Sequence, residues 1–211
     1  RKVVQIQVVH AAPKAGELTV EADGKKTSHK VQYLNSAKGY ATLQTGDQSV
    51  IKLLATNNNV IAESKYSFSN KSSYSLFIYD TLKNNKLKTL WLQDKLVAPG
   101  AGKINIRFLH LSPNTGKIDI DLFKGSDSTR LLSDVSFIGD NPNENALSTF
   151  RTVAAGTYRV KVKTKSGSRI TTLLDIPNFK LDEQRSVTIY LRGLTGGAAG
   201  SEIGLQTWQH K

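Results

Sequence analysis

Apolar and polar residues alternate along most of the chain with a period of two, which is the period of a β-strand. In INIRF (104–108), for example, isoleucine and phenylalanine alternate with asparagine and arginine. Polar segments that favour turns, such as TNNN (56–59) and KSGS (165–168), separate the alternating runs. One-sided alternation is typical of antiparallel sheets with one face in solvent. The pattern predicts an all-β fold, with a single helical turn at NENALSTF (143–150).

The two halves of the chain share a sequence pattern that is offset by 100 residues. IQVVHAAPKAGELTV (6–20) and IRFLHLSPNTGKIDI (106–120) both contain the motif His-x-x-Pro-x-x-Gly. Its members are His10, Pro13 and Gly16 in the first half, and His110, Pro113 and Gly116 in the second. Repeats of this length are duplicated domains and not solenoid units. We therefore predict two tandem antiparallel β-sandwich domains, 1–95 and 104–211, joined by a Pro- and Gly-containing linker, 96–103.

Composition excludes some chemistry and indicates a type of partner. The 211 residues include no cysteine, which excludes disulfides, thiolate metal sites and cysteine nucleophiles. The formal net charge of +12 is spread over both halves. A field of this sign favours anionic partners, although it also serves solubility. No run approaches the roughly 18 apolar residues of a membrane-spanning helix. Because residue 1 is Arg and not Met, we expect that a targeting segment was removed.

Several short motifs resemble the domain-of-unknown-function family 4397 (DUF4397). They are VVHAAP and FLHLSP in the two repeats, IDIDLF (118–123), AAGTYRVKV (154–162), and YSLFIYD (74–80) with VTIYLRG (187–193). The resemblance implies a tandem pair of Ig-like or transthyretin-like domains in an exported, often lipid-anchored protein of Bacteroidetes-type bacteria. It implies a location in the cell envelope, in the periplasm or at the cell surface, and it implies no activity.

The two motif histidines are the first candidates for a site. Strand parity places each on the apolar face of its strand, so both are expected to be buried. We interpret the motif as a structural joint in which the imidazole bonds to loop backbone. A metal site is disfavoured because no second ligand lies at a diagnostic spacing. A hydrolase hypothesis would use Ser112, His110 and Asp119, but the first copy lacks both the serine and the aspartate.

Asp119 and Asp121 share the polar face of one predicted strand. Paired carboxylates serve acid–base catalysis or calcium binding when other loops converge on them. Their alternation with Ile118, Ile120 and Leu122 favours a solvated sheet face instead. We therefore predict no catalytic residue, no metal and no cofactor.

A ribbon of cations is the best candidate for ligand binding. Arg159, Lys161, Lys163 and Lys165 lie on one face of a predicted strand, and the first repeat has no such series. Cations at this spacing suit a polyanion. Lysines also protect a sheet edge from pairing, which is the alternative explanation.

Two tryptophans and a glycine-rich segment complete the candidates. Trp91 and Trp208 lie on the last strand of each repeat, where a partly exposed indole would stack on a sugar or a partner protein. Burial by a loop or a neighbouring domain is the alternative. The glycine-rich segment (193–204) lacks the Gly-Lys-Ser/Thr of a phosphate loop, and we predict a mobile hairpin loop.

Together these features favour a non-enzymatic binding or scaffolding protein of the cell envelope. Its expected partners are an anionic polymer, a glycan or a protein at the cell surface, with the cationic ribbon and the tryptophans as the contact residues. A carbohydrate-active or other hydrolase and a nucleic-acid binder are the alternatives. The nucleic-acid hypothesis is weaker because no aromatic platform or recognised fold motif is evident beside the charge.

Overall fold

The computed structural model describes residues 1–36 and 39–211, and within them the chain is almost entirely β-strand. It divides into two compact units. Unit 1 comprises Arg1–Lys95 with Pro142–Ser148, and unit 2 comprises Leu96–Asn141 with Thr149–Lys211. Each unit contains two sheets in a sandwich-like arrangement, which confirms the predicted fold class.

Unit 1 contains the first nine strands. They are β1 (Lys2–His10), β2 (Leu18–Ala22), β3 (Lys25–Gln32), β4 (Asn35–Ser36), β5 (Ala41–Thr45), β6 (Ser49–Leu54), β7 (Val60–Tyr66), β8 (Ser73–Lys83) and β9 (Lys86–Gln93). One sheet has the strand order β5-β1-β8-β9, and the other has the order β4-β3-β2-β6-β7.

Unit 2 repeats this plan. Its strands are β10 (Lys103–His110), β11 (Ile118–Lys124), β12 (Asp127–Val135), β13 (Arg151–Ala154), β14 (Gly156–Ser166), β15 (Arg169–Leu181), β16 (Ser186–Arg192) and β17 (Gly204–Gln209). The sheet orders are β13-β10-β16-β17 and β12-β11-β14-β15. The duplicated sequence therefore corresponds to a duplicated topology.

The sheets are mostly antiparallel, with one exception in each unit. Among the described strands, one pair in each unit runs parallel, namely β1 with β8 and β10 with β16. Ile6 lies opposite Tyr74 in the first pair, and Ile106 lies opposite Val187 in the second. As a result, the strand that carries each motif histidine is an interior strand of its sheet.

Each unit has its own apolar core, built from the inward positions of the alternating strands. In unit 1 the buried core residues include Val4, Ile6, Val8, Leu18, Val20, Ile51, Leu53, Leu76, Ile78 and Trp91. In unit 2 they include Ile104, Ile106, Ile118, Ile120, Leu122, Val160, Val162, Val187, Ile189 and Leu191. Burying an aliphatic side chain of this kind stabilises the fold by roughly 1.5–3 kcal/mol.

The predicted helical turn is confirmed as α1 (Glu144–Ser148). Asn143 caps it, because its Oδ1 accepts a hydrogen bond from the N–H of Ala146 at 3.1 Å. No helix of the part of the chain that the structure describes is long and apolar enough to cross a membrane.

Candidate functional site

The motif histidines are buried and bonded to loop backbone in the same way in both units. His10 and His110 are 1% and 0% exposed. The Nδ1 atoms accept hydrogen bonds from the N–H groups of Ala12 (3.2 Å) and Ser112 (3.3 Å). Since Nδ1 accepts, Nε2 carries the proton. It donates to the carbonyl oxygen of Gly16 from His10, at 2.8 Å, and to that of Gly116 from His110, at 3.0 Å. Each imidazole therefore closes the loop between its strand and the next one.

Burial lowers the pKa of both imidazoles, and the hydrogen bonds to the carbonyl oxygens of Gly16 and Gly116 offset this only in part. Gly16 has a φ of +73°, which suits glycine. Both ring nitrogens are thus used in holding the loop, and the ring is neutral. This arrangement agrees with the structural interpretation of the motif.

In unit 2 the motif loop also holds the glycine-rich segment. The Ser112 hydroxyl donates to the carbonyl oxygen of Gly193 at 2.7 Å, and the Oγ1 atoms of Thr115 and Thr195 lie 2.6 Å apart. Asn114 and Thr195 exchange two further hydrogen bonds, at 3.0 Å and 2.8 Å. These contacts attach the start of the predicted hairpin loop to the motif loop. Ser112 and Thr115, the two hydroxyl residues of the second motif, make these contacts, a role that the sequence pattern did not reveal.

The side chains of the hydrolase hypothesis do not form a triad. Both nitrogens of His110 bond to backbone, and the Ser112 hydroxyl bonds to Gly193 and Thr115. Asp119 bonds instead to the N–H of Asp134 at 2.9 Å. A triad needs the nucleophile, the base and the orienting carboxylate in one chain of hydrogen bonds. That chain is missing here.

The cationic ribbon lies on the outer face of the β12-β11-β14-β15 sheet, within an alternating row of charges. Across the four strands, Arg130, Asp121, Lys161 and Asp175 are register partners in that order. The row therefore reads positive, negative, positive, negative. Opposite charges on directly facing positions stabilise the pairing of strands and fix its register.

The two aspartates of β11 are covered by cations, and this corrects the expectation of a solvated face. Asp119 and Asp121 are only 3% and 7% exposed. Arg130 bonds to both, with a 3.0 Å contact to Asp119, and Lys163 donates to Asp121 at 2.8 Å. Long, flexible cationic side chains lie over the short carboxylates, which strand parity alone does not reveal.

The pKa of each β11 aspartate is lowered. For Asp119 the main cause is the hydrogen bond from the Asp134 N–H, assisted by Arg130 and Lys165. For Asp121 burial acts to raise the pKa, but the hydrogen bonds and charges of Arg130 and Lys163 outweigh it. A general acid needs a raised pKa at neutral pH. Neither carboxyl group has one.

Three of the ribbon cations have acidic partners that the sequence pattern did not reveal. Arg159 forms a two-pronged bond to Asp175, with both contacts at 2.7 Å. Lys163 pairs with Asp121, and the Lys165 ammonium lies 3.6 Å from Asp119. With Arg130, the ribbon and its acidic partners amount to five cations and three carboxylates, a net charge of +2 for this group of residues. It is cationic, but less so than an unpaired ribbon.

Lys161 and Phe123 give this face a second feature. The Lys161 ammonium lies 5.2 Å from the centre of the Phe123 ring, and the Lys163 ammonium lies 5.9 Å from it. Phe123 and Arg130 line a shallow groove of about 380 Å³. An aromatic ring flanked by cations is a suitable surface for stacking and for anion contacts.

Unit 1 contains the same alternating row, with fewer cations on β6, the strand equivalent to β14. Lys26, Glu21, Lys52 and Glu63 are register partners across β3, β2, β6 and β7. The row is thus common to both copies and accounts for strand pairing. At the positions of Arg159 and Lys163, unit 1 has Val50 and Leu54, since Lys52 corresponds in register to Lys161. The series of cations along one strand is therefore found in β14 and not in its counterpart β6.

The tryptophans do not present a stacking surface, which corrects the role predicted for them. Trp91 is 2% exposed, belongs to the core of unit 1, and donates from its indole N–H to Ser64 at 3.1 Å. Trp208 is 7% exposed and lies opposite Thr188 in the β16–β17 pair. Leu90 and Leu92, on the other face of β9, are buried as well. Parity could not place Trp91 because β9 is buried on both faces.

Within residues 1–36 and 39–211, no three His, Cys, Asp or Glu side chains lie close enough together to hold a metal ion.

The candidate site is the outer sheet face of unit 2, where the cations and the aromatic ring meet. It is named here the cationic face and consists of Phe123, Arg130, Arg159, Lys161, Lys163 and Lys165.

Comparison with known proteins gives the family. A family model described as "Domain of unknown function (DUF4397)" matches residues 4–121, which is more than half of the chain. The match covers the first repeat and extends through the second histidine motif to Asp121. No curated protein matches the chain. The chain belongs to the DUF4397 family.

Proposed function

We propose that this protein is a non-enzymatic binding module of the bacterial cell envelope that contacts an anionic surface polysaccharide through the cationic face of unit 2. The observation that carries the proposal is the placement of Lys161, Lys163 and Lys165 at two-residue spacing, with the first two beside Phe123. Successive lysines on one strand face have Cα atoms about 7 Å apart. A flexible polymer with repeating anionic groups can follow such a row.

The composition of the face favours a polysaccharide over a nucleic acid. Phe123 offers one small aromatic ring, whereas single-stranded nucleic acids are bound on several stacking platforms. Asp119, Asp121 and Asp175 lie among the cations and would repel closely spaced phosphates. Carboxylate or sulfate groups spaced further apart along a sugar chain fit this mixed face better.

The proposed location is the cell envelope, with the protein exported and attached through a lipid. It is supported by the sequence resemblance, and the proposed tandem pair of DUF4397 domains is supported by the repeated topology of the two units. Fractionation of cells expressing the full-length gene tests the location. Recovery in the membrane fraction, with release by detergent, is the expected result, and recovery in the cytosolic fraction contradicts it.

The binding proposal is tested by neutralising three lysines. We expect Lys161→Gln, Lys163→Gln and Lys165→Gln, combined in one variant, to weaken binding to a fluorescent polygalacturonate or heparin by about tenfold or more. Arg130 still pairs with both β11 aspartates in this variant, so the fold should be retained.

The matched control neutralises three exposed lysines of unit 1, as Lys30→Gln, Lys65→Gln and Lys83→Gln. It removes the same charge and should leave most of the affinity. Equal loss in both variants would show that only net charge matters and would contradict a specific face. Preferred binding to single-stranded DNA, or to an acidic protein alone, would contradict the polysaccharide as the ligand.

A further inference from the structure

Unit 1 has a cleft at the end of its sandwich that unit 2 does not reproduce in the same form. The cleft has a volume of about 520 Å³ and is lined by both sheets, including Ala22 and Lys25 from β2 and β3 and Leu43 and Gln44 from β5. The depression at the related end of unit 2, beside Ala155 and Gly156, is only about 290 Å³.

The difference follows from the lengths of the two equivalent hairpins. In unit 1 the β2–β3 pairing ends at Ala22 and Lys25, with the turn at Asp23–Gly24. In unit 2 the β11–β12 pairing continues for two more pairs, through Phe123 to Lys124 opposite Asp127. The shorter hairpin of unit 1 therefore lacks the residues that extend unit 2 at this end.

In unit 2 the extra residues cover the corresponding end. The Lys124 ammonium lies 5.6 Å from the centre of the Tyr158 ring and 2.6 Å from the place where a Cβ on Gly156 would be. Tyr158 is half-buried against the core, and its hydroxyl donates to the carbonyl oxygen of Ala154 at 2.7 Å. Unit 1 has the small Ser49 at the register position of Tyr158, so its cleft is left open.

The lining of the open cleft is polar and cationic over a small apolar base. Arg1 and Lys25 supply positive charge, while Gln44 and Gln48 supply exposed amides. The one acid is Asp23, whose carboxylate accepts bonds from the Val50 N–H at 2.8 Å and the Ser49 hydroxyl at 3.0 Å. The three lining cations, Arg1, Lys25 and Lys26, outnumber this one carboxylate, so the net charge of the lining is positive.

We propose that the unit 1 cleft binds one carboxylate-bearing sugar residue. Arg1 and Lys25 would hold the carboxylate, Gln44 and Gln48 would bond to the ring hydroxyls, and Leu43 and Ala22 would contact the apolar side of the ring. Amide side chains suit hydroxyl groups because they both donate and accept hydrogen bonds. This site is distinct from the cationic face and would bind a single sugar residue, not a length of chain.

Backbone NMR with glucuronate as the probe tests this site in the whole chain. We expect shift changes confined to residues 22–27 and 43–48, with a dissociation constant in the millimolar range, and about tenfold weaker binding in Lys25→Gln. Lys30→Gln, an exposed lysine further along β3, is the control and should bind like the parent protein. Because the readout is local to unit 1, it is independent of binding at the cationic face.

Glucose and acetate at the same concentration are the comparison ligands. Weaker shifts with both support a site for an acidic sugar. Equal shifts with acetate would show a simple anion site, and equal shifts with glucose would show that the cations are not used; either result overturns the proposal. Absence of glucuronate shifts in the cleft also overturns it, even if polymer binding at the cationic face is intact.

Discussion

Replacing a motif histidine is expected to be far more damaging than replacing a surface residue. In His110→Ala, the Ser112 N–H and the Gly116 carbonyl lose their buried partner. Each orphaned polar group costs about 1–3 kcal/mol, and the space left by the ring adds a further cost. The expected loss is about 3–5 kcal/mol, a large part of the roughly 5–15 kcal/mol that stabilises a typical domain.

Urea unfolding followed by tryptophan fluorescence measures this loss. Each unit contains one tryptophan, so a Trp91→Phe background lets Trp208 report on unit 2 alone. His10→Ala, measured in a Trp208→Phe background so that Trp91 reports on unit 1, should destabilise that unit by a similar amount because its hydrogen bonds are equivalent. A loss below about 1 kcal/mol in His110→Ala, with a change in ligand binding instead, would refute the structural interpretation.

Three further predictions concern pH, the charged row and the glycine-rich segment. Burial lowers the pKa of both motif histidines, so the unfolded chain binds more protons than the folded chain at acidic pH. The free energy of unfolding should therefore fall as pH drops below about 6.5. Urea midpoints plotted against pH should give a flatter profile in the variant that combines His10→Ala and His110→Ala. Arg130→Gln should lower the urea midpoint at pH 7, because Arg130 pairs with Asp119. The difference in midpoint between the parent protein and this variant should shrink as pH falls below about 4 and Asp119 becomes protonated. A difference that stays constant with pH would contradict this. Gly193→Ala should lower the urea midpoint more than Gly200→Ala. Both glycines have φ near +90°, but only at Gly193 would a Cβ collide with the Glu202 carbonyl. Equal effects of the two substitutions would contradict the close packing at Gly193.

The period-two pattern was enough to predict the strands, because each inner strand has at least one apolar face. Parity also placed His10 and His110 on buried faces. The parallel pairing of β1 with β8 was not predictable, since many residues separate the two strands and local pattern carries no information about such partners. Trp91 was misplaced for a related reason, because alternation does not identify the core side of a strand that is buried on both faces.

The candidate site was predicted only in part. The ribbon was visible because Lys161, Lys163 and Lys165 follow one another on a single strand. Its partners lie on other strands, and Asp175 becomes the neighbour of Lys161 only through the register of β14 and β15. Phe123 was likewise assigned no role, since its place beside the lysines depends on the pairing of β11 with β14.

The salt dependence of polyanion binding tests the central claim most directly. The slope of log Kd against log salt concentration reports how many counterions a bound protein displaces. We predict a clear slope for the parent protein, a shallower one for the Lys161→Gln, Lys163→Gln and Lys165→Gln variant, and a slope like the parent's for the unit 1 lysine control. Equal slopes in all three proteins, or binding that is independent of salt, would contradict the account of the cationic face.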